Sequence, residues 1–146
     1  MSSCNPKENT TLAVNNEGFL SGWAPQLLSV LRIAAAFAFL QHGSATLLGF
    51  PQVEMFANLQ IASIYGVAGI LELLGGILLL IGLFSRVVAF ILSGQMAVAY
   101  FMAHNDPFFS PMLNGGEAAY LFCFAFLYLA AAGPGPWSVD AARSKA

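Results

Sequence analysis

This sequence predicts an all-α membrane protein, an antiparallel four-transmembrane-helix bundle, and three observations carry that prediction. Charged residues make up 8% of the 146 positions while 58% are hydrophobic, whereas soluble domains carry about 25% charged residues. The mean hydropathy is +0.74. Four long apolar runs alternate with short joints rich in glycine and proline. A surface so poor in charge needs lipid as its solvent. In lipid the backbone must satisfy its own hydrogen bonds, which makes the spans helices.

The elements follow in order. Residues 1–23 read as a polar N-terminal tail, "MSSCNPKENTTLAVNNEGFLSGW", without the basic start and apolar core of a cleaved signal. The transmembrane domain covers residues 24–133. Its first helix is expected over 24–48, with Pro25 in the first turn, where a missing N–H does no harm. The second is expected over 61–84, the third over 87–104 and the fourth over 117–132. The third and fourth span only about 24–26 Å at about 1.5 Å per residue, so each borrows flanking residues to cross the bilayer. "GFPQ" breaks the chain after the first helix, "GLFSR" joins the second to the third, and "NDPFFSPMLNGG" separates the third from the fourth. Joints this short make neighbouring helices antiparallel. Gly66, Gly69, Gly75 and Gly76 allow close backbone approach along the second helix. Residues 134–146 form a cytoplasmic C-terminal tail.

Charge and cysteine content exclude several functions. The formal net charge of −2 offers no basic face for nucleic acid. Cys4 lies in the polar tail and Cys123 inside an apolar run, so neither a disulfide nor a metal-ligand spacing is expected. Lys7, Arg86, Arg143 and Lys145 all fall on one side of the predicted topology, and the first and third joints carry no Lys or Arg. The positive-inside rule therefore places both termini in the cytoplasm.

The chemistry-bearing residues are those the membrane tolerates least. Arg32, Gln41, His42, Glu72 and Gln95 fall inside apolar runs, and ionisable groups there usually turn inward. By helical rise Arg32 lies roughly 10 Å and Glu72 roughly 16 Å from the cytoplasmic ends of their helices. The two are expected to pair, each lowering the other's burial cost. Such a pair either fixes helix register or handles substrate protons and quinone oxygens. On the opposite side His42, His104 and Glu117 share one membrane level. An imidazole beside a carboxylate suits proton transfer; equally, Glu117 favours a helix N-terminus and the histidines cap or snorkel. Asp106, before Pro107, reads as a turn residue. Phe108, Phe109, Tyr120 and Trp137 read as interfacial aromatics. Two histidines on alternate helices permit a bis-histidine haem, but no other haem cue is present and no haem is expected. A metal site from His42, His104 and Glu117 has no supporting local spacing.

Taken together, "LRIAAAFAFLQHGSATL", "ELLGGILLLIGLFSR", "GGEAAYL" and "GPGPWSVD" resemble the DoxX family of small four-helix membrane proteins, over about residues 27–140. One departure is Thr46, where family members often carry a lysine after the His-Gly pair. The resemblance implies a bacterial inner-membrane protein linked to redox chemistry, with Arg32, His42, Glu72, Arg86 and Glu117 matching the family's polar pattern. Some relatives are membrane subunits of thiosulfate:quinone oxidoreductases, and others are thought to scaffold complexes handling oxidative stress. The expected function is a redox-associated membrane subunit that binds quinone or docks a partner oxidoreductase. Candidate quinone-binding residues are Arg32, His42, Glu72, His104 and Glu117. The alternative is a non-catalytic subunit that anchors a larger complex. Either reading expects the bilayer around the chain and a protein partner or homo-oligomer within it. A small channel or carrier ranks last, because no inverted repeat is visible.

Overall fold

The computed structural model describes residues 20–53, 62–104, 106–107 and 109–145. All regular structure among them is helical: α1 Ala24–Leu48, α2 Ile64–Ile81, α3 Ser85–Ala103, α4 Pro111–Asn114, α5 Glu117–Ala132 and α6 Val139–Arg143. A 3₁₀ turn, Ser21–Trp23, leads into α1. Three helices are long and apolar enough to cross a membrane, those within Ser21–Leu48, Ile64–Ile81 and Ser85–Ala103, while α5 is apolar but shorter. The expected N-terminal tail and Cys4 lie outside the described residues.

Local chemistry sets the helix ends. Ser63 caps α2, its Oγ accepting from the Gly66 N–H at 3.2 Å, which starts the helix later than the apolar run suggests. Gly82 ends it: at φ 74° it takes the left-handed conformation. The Leu83 N–H then reaches back to the Leu78 carbonyl at 2.9 Å, closing a Schellman turn. Thus α2 stops at Ile81, short of the expected Phe84, and α3 begins at Ser85 instead of residue 87. The long third joint is not all loop, because Pro111 opens the short helix α4.

Residue contacts give the topology. From α1 to α2, Thr46 meets Gly69, Gly43 meets Leu73 and Leu40 meets Gly76, so the two helices run antiparallel. Gly75 on α2 meets Leu92 on α3, Ser93 on α3 bonds the Cys123 carbonyl on α5 at 2.8 Å, and Phe39 on α1 packs edge-on against Phe126 on α5. One end of the molecule, here the strap end, gathers the start of α1, the α2–α3 turn, the close of α5 and α6. The other, the loop end, gathers the close of α1, the start of α2 and the segment joining α3 to α5.

Small residues permit this closeness. A Cβ on Gly43 would meet the Leu73 backbone nitrogen at 2.5 Å, so α1 and α2 touch nearly backbone to backbone. The buried core is compact: Ala35, Ala36, Phe39, Leu79, Ala89, Leu92, Phe126 and Leu129 are its centre. Large apolar side chains such as Phe37, Val87, Phe90, Leu121 and Phe124 point outward and are exposed. That inversion suits a chain whose solvent is hydrocarbon.

Candidate functional site

Arg32 is wholly buried, and its partners are not the expected ones. Its Nε donates to the Pro134 carbonyl at 2.9 Å. Its Nη1 donates to the carbonyls of Leu79 and Leu80, and its Nη2 to that of Trp137. The expected Arg32–Glu72 pair therefore does not form. The physical reason is that α2 ends with carbonyls no further turn can satisfy, and a planar guanidinium with five donors fits several at once.

The C-terminal segment was expected as a simple tail, but it folds across this end as a strap. Ser29 Oγ accepts from the Trp137 N–H at 3.2 Å. Asp140 bonds the N–H groups of Phe84 and Ser85 at 3.0 and 2.8 Å, capping α3 from a distance. Partial burial pushes the Asp140 carboxyl up, but those two backbone donors, with Arg143 adding a positive charge, outweigh it and hold the group below the usual carboxylate range. Arg86 donates to the carbonyls of Ala130, Ala131 and Ala132, closing the end of α5. Two of the family-pattern arginines are thus engaged with backbone.

Glu72 finds its partner on α3. Gln95 Nε2 donates to Glu72 Oε1 at 3.1 Å and to the Ala68 carbonyl at 3.3 Å. Gln95 Oε1 is buried and has no hydrogen-bond partner. Beside it runs a half-open groove of about 320 Å³ between α2 and α3, apolar except for Gln95 and Tyr65 and extending toward the loop end past Val67, Val98 and Met102. Gly94 lines it, and nothing lies within 4 Å of where a Cβ would stand.

At the loop end the antiparallel topology brings His42, His104 and Glu117 to one side, but no described hydrogen bond joins them. Among the described residues no three His, Cys, Asp or Glu side chains form a metal-holding group. His42 and Glu117 are exposed. His104 is half-buried, its Nδ1 at 2.9 Å from the Asn114 carbonyl; that carbonyl accepts, so Nδ1 carries the proton. Asn114 organises the joint. Its Nδ2 donates to Tyr100 Oη at 3.1 Å and to the His104 carbonyl, and its Oδ1 accepts from the Gly116 N–H at 2.8 Å. Thr46 bonds back to the His42 carbonyl at 2.9 Å and packs on Gly69. Phe109 and Tyr120 sit at this end and Trp137 at the other, all exposed; Phe108 lies outside the described residues.

Sequence reasoning named Gln95 as an intramembrane polar group yet left it out of the site. It also missed Asn114 and Asp140. The Asn-Gly pair at 114–115 was a signal for a structured turn. Nothing local marked Asp140 as a cap for residues more than fifty positions earlier.

Apolar helices packed through glycines, with lipid-facing hydrophobics and an internal polar pair, define a polytopic helical membrane protein. A DoxX family model matches residues 27–105, and the chain belongs to the DoxX family. It is 42% identical over 125 residues to an uncharacterized protein of Haemophilus influenzae, across 83% of this chain and 93% of that one. No solved structure matches it.

Proposed function

We propose that this chain is a redox-associated membrane subunit that binds a lipid-soluble quinone-type molecule in the α2–α3 groove and presents it to a partner oxidoreductase. The observation that carries the reading is the groove itself: an apolar channel beside Gln95, with Glu72 behind it, near the middle of two membrane helices. Its volume of about 320 Å³ stands at the lower end of the roughly 300–1,000 Å³ usual for ligand sites. A ring and the first part of an apolar tail fit there, the remainder running along the lipid face. The ligand head belongs with Gln95, whose amide Glu72 holds from behind the groove wall; His42 and Glu117 do not line the groove. The chain holds no evident electron carrier, so turnover needs the partner. In this reading α5 crosses the membrane as the fourth span of an antiparallel bundle, in the bacterial inner membrane. The strap end then faces the cytoplasm, because Arg86, Arg143 and Lys145 lie there and the loop end has no Lys or Arg.

Purification from native membranes in mild detergent, followed by organic extraction, tests this. Quinone is expected with the wild type and strongly reduced with Gly94→Leu, which fills open space in the groove. Wild-type protein that carries no quinone from quinone-rich membranes would sink the reading.

The second reading, an anchoring subunit, is favoured by a different observation. Arg32, Arg86 and Asp140 are all committed to backbone groups of the strap end, as befits architecture. A stoichiometric protein partner that stays bound to Gly94→Leu, in preparations free of quinone, is its signature.

A further inference from the structure

We propose that Glu72 stands as a neutral carboxylic acid, a proton-binding site inside the membrane, whose O–H donates to Gln95 Oε1 and latches α2 to α3. The pairing is independent of what fills the groove. Glu72 lies at the middle of α2, where an uncompensated charge in hydrocarbon is expensive. Among the described residues its one side-chain partner is the Gln95 amide, at 3.1 Å, and no cation bonds it. Arg32 is committed to backbone carbonyls at the strap end and Arg86 to the close of α5, while Arg143 and Lys145 follow the strap. Titratable groups on the packed elements are no closer partners. On α1, His42 precedes the Gly43 crossing but is exposed, and no described bond joins it to Glu72. On α3, Tyr100 and His104 bond Asn114 at the loop end. On α5, the Cys123 sulfur lies beside Ser93. Tyr65 is two turns away, on the first turn of α2 itself.

The amide has an unmet need of its own. Its nitrogen donates to the Ala68 carbonyl at 3.3 Å as well as to Glu72 Oε1. Exchanging the ends of the amide would set its oxygen against two acceptors, so this orientation is fixed. Gln95 Oε1 is thereby left buried without a partner, which is costly for an acceptor. One proton answers both needs. On Glu72 it removes the charge, and a protonated carboxyl carries a donor beside its acceptor. The last side-chain torsion of a glutamate is broad, so the O–H can turn to Gln95 Oε1 while the bond from Nε2 persists. Two planar groups then exchange one hydrogen bond in each direction. Loss of the proton breaks one of those bonds across the α2–α3 seam and leaves a charge there.

Infrared spectroscopy of the full chain in lipid nanodiscs at neutral pH tests this. The wild type is expected to show the carbonyl band of a protonated, hydrogen-bonded carboxyl, which shifts in heavy water and is lost in Glu72→Gln. In Gln95→Leu the acid loses its partner, so the band should move to higher frequency. Isotopic labelling of the glutamate carboxyls displaces the band in the wild type and assigns it even where a variant fails to fold. A wild type without such a band has an ionised Glu72, which overturns the proposal. A band at the frequency of a free acid, or one that Gln95→Leu leaves in place, removes the latch. Both results leave the groove reading to its own extraction experiment.

Discussion

Arg32 Nε and the Pro134 carbonyl meet at 2.9 Å across 102 positions of sequence. That bond ties the first membrane helix to the strap that follows the last. The same guanidinium holds the final carbonyls of α2, so one buried cation joins three parts of the chain through backbone carbonyls. Charge-assisted bonds to carbonyls are stronger than neutral ones, about 1.5–3 kcal/mol each.

Arg32→Leu removes those donors and leaves several carbonyls unmet. The expected loss is at least about 3 kcal/mol, read as a large fall in the thermal midpoint of the detergent-solubilised protein. Trypsin should cut after Arg143 faster in this variant, since the strap loses its anchor. A variant as stable and as protease-resistant as the wild type would contradict the assigned role.

Asp140 makes stability depend on acid. Its carboxyl is held below the usual range, so the native state binds fewer protons there than the unfolded chain does. The stabilisation is fully present above the ordinary carboxylate pKa of about 3.9 and is lost as pH falls through the lower native value. Asp140→Asn should therefore be less stable than wild type at neutral pH and converge with it in strong acid. A difference that does not change with pH would remove the carboxylate from this explanation.

Two glycines should respond oppositely to alanine. At Gly43 the new Cβ meets Leu73 backbone, so the helices must part, at a cost of about 1–3 kcal/mol. At Gly94 the space is open, and the better helix former should be neutral or mildly stabilising, by up to about 1 kcal/mol. Melting curves of the two variants, measured side by side, decide this; Gly43→Ala at or above the wild-type midpoint would count against the close crossing.

Asn114→Ala should loosen the loop end without touching the core. It removes the amide that binds Tyr100 and the His104 carbonyl and that receives the Gly116 N–H. His104 should then react faster with diethyl pyrocarbonate, while the midpoint falls only modestly. An unchanged rate would mean that the loop is held by other contacts.

Much of this architecture was legible in the sequence because its cause is local. Apolar run lengths and Pro25 announce the helices, and the glycines of α2 announce close neighbours, but the ends that Ser63 and Gly82 set lie a few residues inside the expected ones. The polar partnerships were less legible. Arg32 and Glu72 have suitable charges and comparable depths, yet each chose a closer group: unsatisfied carbonyls for one, the Gln95 amide for the other. Depth along a helix follows from counting, but the direction a side chain faces depends on how four helices rotate against one another. For the same reason His42, His104 and Glu117 were placed at the correct end without converging there.

The span between Arg32 and its strap also has a consequence in time. A ribosome adding roughly 5–20 residues per second makes Pro134 about 5–20 s after Arg32, as the spacing of 102 positions requires. For that interval the arginine has only the carbonyls at the end of α2 to hold it. Insertion of the first two helices as a hairpin, before the rest emerges, is the order of assembly that leaves its charge least exposed.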